Sequence, residues 1–319
     1  MLHLHATLDG VTPTFLERWW TYQRERFPVL AHGLLILAFS LSAVGYSSLL
    51  RGHIAFPSLK VMITGFVSCF LFFLLLRIAD EFKDFEEDSK YRPYRPVPRG
   101  LVSLRELGVL AVIALVVQLA LALWLSPPLI LPLVAVWAYL GLMSKEFFAP
   151  AWLKARPLMY LWTHMLILPF IDFYATACDW LSAGAAEPSF GLIWFLIMSF
   201  FNGIVVEIGR KIRAPEVEEK GVETYSALYG PKRASVMWFA ALVVTAVAAL
   251  FAAQTVHFLL PVLVMVVVLL GLAGMTTAHF WQEQTVTTAK WFKRLSGIWT
   301  LLIYLFVGVV PLVWLIYRG

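Results

Sequence analysis

Charge is what this sequence has least of. Asp, Glu, Lys and Arg make up only 14% of the 319 residues, while 61% are hydrophobic; a soluble globular chain carries about 25% charged residues. Mean hydropathy is +0.79. That balance excludes intrinsic disorder and a charge-laced coiled coil. Cysteine is nearly missing too. Cys69 and Cys178 cannot build a disulfide framework or a Cys-rich metal site, and both fall in apolar runs, where a thiol behaves as a small hydrophobe. The first 27 residues lack a long apolar core, so a cleaved signal peptide is not expected there. The net charge of +5 comes without any base-stacking or groove-reading motif, so nucleic acid is not an expected partner.

Long apolar runs and aromatic residues are abundant instead. A bilayer core about 30 Å thick is crossed by about 20 apolar residues in a helix rising 1.5 Å per residue. Nine such runs occur, at 28–50, 60–79, 106–125, 128–146, 157–178, 190–208, 234–255, 257–275 and 297–317. Pro127, Pro128, Pro132 and Pro169 pinch some of them, which membrane helices tolerate when neighbours satisfy the freed backbone groups. The expected fold is a single all-α, polytopic membrane domain over 1–319, with the lipid bilayer as its solvent. The 13 Trp and 24 Phe suit interfacial belts and an apolar cavity.

The connections alternate in charge. The N-terminus, the even-numbered loops and the adjoining helix ends hold 22 of the 25 Lys and Arg residues, leaving Arg51, Lys60 and Arg318 for the other side. The positive-inside rule then places the N-terminus and even loops in the cytoplasm and the C-terminus opposite. Within 1–27, the run Trp19-Trp20-Thr21-Tyr22-Gln23-Arg24-Glu25-Arg26-Phe27 reads as an interfacial helix on that surface, a membrane anchor.

Acidic residues are concentrated more sharply still. Six of the 20 fall in Asp80-Glu81-Phe82-Lys83-Asp84-Phe85-Glu86-Glu87-Asp88, at the cytoplasmic end of the second span. On a continued helix Glu81, Asp84 and Asp88 share a face, with Asp80 close to the same stripe. Carboxylates so crowded repel unless a cation sits among them, and Mg²⁺ takes hard oxygen ligands from one or two carboxylates, water and phosphate. The loop then turns basic, with Lys90, Arg92, Arg95, Arg99 and Arg105 among Tyr91, Tyr94, Pro93, Pro96 and Pro98. Guanidinium groups clamp phosphate in bidentate fashion. Acid for a metal followed by base for phosphate, on one loop spanning 80–105, suits a diphosphate.

A second polar cluster closes the sixth span and runs into the loop at 209–233. It comprises Asn202, Glu207, Arg210, Lys211 and Arg213, then Glu216, Glu218 and Glu219. The two clusters lie four helices apart, as an internal duplication with facing sites would place them. Lys145 ends the fourth span, where it either meets phosphate or snorkels to the interface. His164 and Asp172 lie within the fifth span, roughly on one face. His164 reads as an interhelical hydrogen-bonding group. An acid in lipid is costly and points to a cavity role, so Asp172 is a candidate base.

At these residues the chain resembles the UbiA superfamily of intramembrane prenyltransferases over nearly its whole length. That family has nine helices around a central cavity and acidic motifs after helices two and six. Its first motif reads Asn/Asp-Asp-x-x-Asp-x-x-x-Asp, followed by Arg-Pro. Here it is Asp80-Glu81-x-x-Asp84-x-x-x-Asp88 with Arg95-Pro96, Glu81 replacing an Asp. The second motif departs further. In Glu207-Ile208-Gly209-Arg210-Lys211-Ile212-Arg213-Ala214-Pro215-Glu216-Val217-Glu218, continued by Gly221-Val222-Glu223-Thr224, Lys211 and Ala214 stand where relatives carry Asp.

The resemblance implies Mg²⁺ held by Asp80, Glu81, Asp84 and Asp88. At the second motif, either Glu207, Glu216 and Glu218 supply another metal position, or Arg210, Lys211 and Arg213 neutralise the diphosphate directly; a mixed site combines both. Arg77, Lys83, Arg92, Arg95, Lys145, Arg210, Arg213 and Asn202 are the expected diphosphate-side residues. Asp84, Asp88, Lys211 and Asp172 are those expected to carry the chemistry. The implied reaction transfers a prenyl group from an isoprenoid diphosphate donor to an aromatic or other lipophilic acceptor. The closest rival is a membrane terpene cyclase acting without an acceptor. A divalent-cation transporter is the remote one, since transporter carboxylates lie near the bilayer midplane.

Overall fold

The computed structural model describes residues 13–219 and 222–318. Residues 1–12 of the expected interfacial N-terminus, and Gly221 of the second motif, lie outside them. Among the described residues nine helices are long and apolar enough to cross a membrane, at the nine places expected. The chain is a multi-pass membrane protein.

It begins with the short α1 (Phe15–Arg26), started by a reciprocal cap in which the Thr14 hydroxyl accepts from the Glu17 N–H and Glu17 accepts from the Thr14 N–H. The first three spans are α2 (Val29–Leu50), α3 (Leu59–Lys83) and α5 (Leu104–Leu125). Between the last two sits the one-loop helix α4 (Phe85–Tyr91). The fourth span, Pro127–Ser144, opens with a tight turn and continues as α6 (Ile130–Ser144). After the short α7 (Pro150–Lys154), the fifth span divides into α8 (Pro157–Met165) and α9 (Ile167–Trp180). Pro169 explains that break, having no N–H to offer the carbonyl four residues earlier. The rest are α10 (Leu192–Arg210), the short α11 (Tyr225–Tyr229), α12 (Pro231–Thr255), α13 (Leu259–Gln282), α14 (Val286–Tyr304) and α15 (Val310–Arg318).

Two boundaries differ from the sequence reading in an informative way. The second span runs on to Lys83, so its charged end stays helical. The last span begins at Val286 rather than 297, because Thr285 caps the helix well before the apolar run starts. Its first three turns carry Lys290, Lys293 and Arg294, whose stems can lie along the helix while their heads stay wet.

Successive spans pack side by side, and the first span meets the wide turn at Leu305–Val309 between α14 and α15, closing the bundle. That closure depends on Gly308, where a Cβ would sit 2.2 Å from the Ser42 carbonyl oxygen. Deep in the bundle, Tyr304 donates to Asp172 at 2.9 Å and contacts Ser199 at 3.1 Å, joining α14, α9 and α10. Such paired polar groups let helices associate in an apolar surrounding.

The loops segregate to two ends. At one end the Val286 N–H donates to Glu216, and Arg26 of α1 reaches Glu81 at the end of α3. At the other, Arg51 makes a bidentate pair with Asp179, and Tyr46 bonds the Gly191 carbonyl and Thr255. The N-terminal helix and the even loops therefore share one end, as their charge requires.

Candidate active site

At the charged end the loops enclose a cavity of about 590 Å³. One wall is the end of α3 with α4. Asp80 and Asp84 lie one helical turn apart and both line it, as do Arg77 and Lys83. The helix breaks at Asp84, whose backbone (φ −93°, ψ 6°) leaves the helical region before α4 resumes. Asp80 has a loose ion pair with Arg77 at 3.6 Å. Among the described residues the Asp84 carboxylate has no hydrogen-bond or ion-pair partner. Burial holds its pKa above the ordinary carboxylate value; the charge of Lys83 opposes that, and Asp80, Asp88 and Glu87 reinforce it. Asp84 is thus a half-buried carboxyl on the cavity wall whose side chain has no partner among the described residues.

Its neighbours in the motif are engaged. Asp88 is buried and takes Arg92 on one oxygen at 2.9 Å and Arg95 on the other. Glu81, also buried, is bound by Arg26 and does not line the cavity. The face that Glu81, Asp84 and Asp88 were expected to share is therefore split: Glu81 turns away to Arg26, while Asp84 and Asp88 line the cavity, Asp88 with its oxygens held by Arg92 and Arg95.

The opposite wall comes from the end of α10. Gly209 seats that end directly on α14, since a Cβ there would lie 2.1 Å from the Ser296 hydroxyl. Arg210 and Lys211 follow into the cavity, and both grip Glu207, with Arg210 on one oxygen and Lys211 on the other at 3.0 Å. Lys211 also lies 5.7 Å from the Tyr225 ring centre. Burial and the Glu207 charge push the Tyr225 phenol well above its ordinary pKa, so it stays protonated. Arg213 lines the cavity as well and pairs with Glu219.

The remaining expected residues lie elsewhere. Glu218 accepts both its bonds from the Thr224 hydroxyl, and Glu216 faces Val286. Lys145 is exposed and off the cavity wall, Asn202 is buried with Thr300, and Asp172 is enclosed with Tyr304 and Ser199. His164 bonds the Tyr160 carbonyl of its own helix at 2.8 Å and stacks on the Tyr160 ring.

Other cavity residues escaped the sequence reading. Arg26 arrives from α1, Lys154 and Glu146 from the fourth loop, and Tyr160 from α8, where its hydroxyl accepts from Lys83 at 2.8 Å. Glu146 is aimed by three consecutive residues, Glu146, Phe147 and Phe148, at φ 46°, 53° and 58°. Non-glycine residues seldom adopt that left-handed region, and each costs of order 1–3 kcal/mol, strain typical of functional loops. The charge pattern of the even loops was the only signal for Arg26 and Lys154.

A small hard cation fits the α3 wall. Asp80 and Asp84 offer it oxygen atoms, and among the described residues no three Asp, Glu, His or Cys side chains converge to cage an ion alone. The other positions fall to water and phosphate oxygens, as Mg²⁺ prefers. The α10 end offers less to one, because Glu207 there is already bound by two cations and Glu223 is the one acid that the second-motif loop adds to the lining among the described residues.

Fold and site together define a membrane-spanning helical bundle with a polar, cation-rich cavity at one end. The UbiA prenyltransferase family model matches residues 38–301, and the chain belongs to that family. Solved structures share the fold. One is the apo UbiA homologue from Aeropyrum pernix K1, 16% identical with a TM-score of 0.64 over 87% of this chain and 96% of that one. A second comes from work on digeranylgeranylglyceryl phosphate synthase in membranes, 18% identical with a TM-score of 0.56 over 92% and 99%. A third is the UbiA homologue from Archaeoglobus fulgidus bound to GPP and Mg²⁺, 16% identical with a TM-score of 0.55 over 91% and 99%. No curated protein sequence matches the chain.

Proposed function

We propose that this chain is a Mg²⁺-dependent intramembrane prenyltransferase that cleaves an isoprenoid diphosphate and passes the prenyl group to a lipophilic acceptor, aromatic or otherwise. The observation that carries this reading is the cavity itself, where the unpartnered Asp84 faces cations drawn from the N-terminal helix and three even loops. Family membership supports it, as does the GPP- and Mg²⁺-bound homologue of the same fold.

Asp80 and Asp84 would hold Mg²⁺, which draws electron density from the leaving diphosphate. Arg77 and Lys83 meet that group from the α3 wall, and Arg210, Lys211 and Arg213 from the other. Asp88 works at one remove: pinned between Arg92 and Arg95, it fixes two guanidinium groups at the cavity edge. Fixed charges of this kind stabilise a leaving group without reorganising as the bond breaks. The Tyr160 and Tyr225 side chains also line the cavity, and aromatic faces favour positive charge of the kind that develops on the allylic carbon. By the positive-inside rule we place this end in the cytoplasm, with α1 lying on the membrane surface and Phe15, Leu16 and Trp20 exposed for lipid.

The test is incubation of membranes containing the chain with radiolabelled C10, C15 and C20 diphosphates, with and without an aromatic acceptor. Acceptor-dependent, Mg²⁺-dependent transfer of label, lost in Asp84→Ala and Asp88→Ala, is the expected result. A cyclic product formed without acceptor would make the chain a cyclase. Transfer that survives Asp84→Ala would refute the assigned site.

A further inference from the structure

Resting on the diphosphate reading above, we infer that this cavity uses one divalent cation, on Asp80 and Asp84, and that protein cations stand in for a second: Lys211 and Arg210 at the second motif, and Arg26 at the outer end of the first.

Three observations carry the inference. At the second motif both oxygens of Glu207 are taken, one by Arg210 and one by Lys211. Lys211 occupies a position that the family pattern gives to an acid, so the side chain there brings positive charge instead of binding it. The other departing position, Ala214, has no solvent exposure at all. The chain packs over its methyl group, so this position brings no carboxylate to the cavity.

At the first motif Arg26 does the same work. Its guanidinium, 11% exposed, binds Glu81 and lies 4.0 Å from Asp88, which are 1% and 3% exposed. Two buried acids that could serve a metal are thus neutralised by protein: Glu81 by a residue from α1, a helix that the sequence presents only as an anchor, and Asp88 by Arg92 and Arg95 with Arg26 nearby. Asp88 lines the cavity with both oxygens held by Arg92 and Arg95, so Asp80 and Asp84 are the motif acids that line it without a close cation on them.

The balance of charge agrees. Nine Lys and Arg side chains line the cavity against six Asp and Glu. One divalent ion can be held locally by Asp80 and Asp84, while a second would enter a region already net positive, at a Coulombic cost that low-dielectric walls enlarge. The diphosphate is then gripped by a metal on one side and by fixed ammonium and guanidinium groups on the other.

The test is the stoichiometry of Mn²⁺ bound to the full-length chain in nanodiscs, read by electron paramagnetic resonance and calorimetry, with geranyl thiolodiphosphate as the unreactive diphosphate. The expected result is one Mn²⁺ per chain. In Lys211→Asp, which restores an acid beside Glu207, the number rises to two. In Arg26→Gln, which frees Glu81 beside Asp80 and Asp84, a second and weaker Mn²⁺ site appears. Two ions in the unaltered chain would overturn the inference while leaving the diphosphate reading intact. Failure of the unaltered chain to bind the thiolodiphosphate at all would overturn that reading, and this inference with it.

Discussion

The two acidic motifs occupy matching places, each closing a span at the same end of the bundle, yet they are built with opposite electrostatic logic. At the first, the helix breaks at Asp84 and leaves that carboxylate without a partner among the described residues. At the second, α10 holds its helical course to Arg210, and Glu207 is saturated by the two cations that follow it. Glu216 and Glu218 are spent on holding loops together. Similar placement thus yields an acid that needs a cation on one side and a cation held ready for an anion on the other. In this chain the pseudo-repeat is a matter of position rather than of chemistry.

The comparison is broken most severely at Asp84. Asp84→Ala should reduce turnover by more than about a hundredfold, beyond the cost of losing a group merely adjacent to a metal. Lys211→Ala should be gentler. Loss of one charged hydrogen bond to the diphosphate costs about 1.5–3 kcal/mol, or about 10- to 150-fold in kcat/KM, and steady-state assays against donor concentration measure it. Smaller still is a stability effect. Burial raises the Asp84 pKa above that of the unfolded chain, so the folded state takes up the proton more readily. The cost of its charge is fully present above the folded pKa and disappears as pH falls through that value toward the unfolded one. In chelator, melting curves should therefore show a gain of a few degrees on acidification, Asp84→Asn should show that gain already at neutral pH, and added Mg²⁺ should supply it without acidification. Glu218→Gln should leave turnover unchanged, because its amide still accepts from Thr224 and it does not touch the cavity.

Much of the architecture was legible in the sequence because lipid imposes a length. A helix with no water to bond must stay apolar for about 20 residues, and the nine such runs are nine spans among the described residues. Alternating charge separated the two ends for an equally simple reason. The first wall of the site was legible as a cluster of acids at a helix end, but the stripe of Glu81, Asp84 and Asp88 was not, because the helix breaks at Asp84 and Glu81 does not line the cavity. What escaped was everything fixed by tertiary approach. Nothing in the spacing of Glu81 shows that Arg26, 55 residues earlier, will cover it. Lys145 misses the cavity and Glu146, for which no role was expected, lines it, where three left-handed residues turn the chain, a conformation their side chains do not announce. Asp172 stands out as an acid in an apolar run, but only packing reveals Tyr304 beside it.

The central claim is the asymmetry of the two walls, and anomalous diffraction from crystals grown with Mn²⁺ and geranyl thiolodiphosphate tests it most directly. The account predicts a single Mn²⁺ peak against Asp80 and Asp84, with Lys211 and Arg210 in contact with diphosphate oxygens. A second peak coordinated by Glu207, with Lys211 displaced from it, would contradict it.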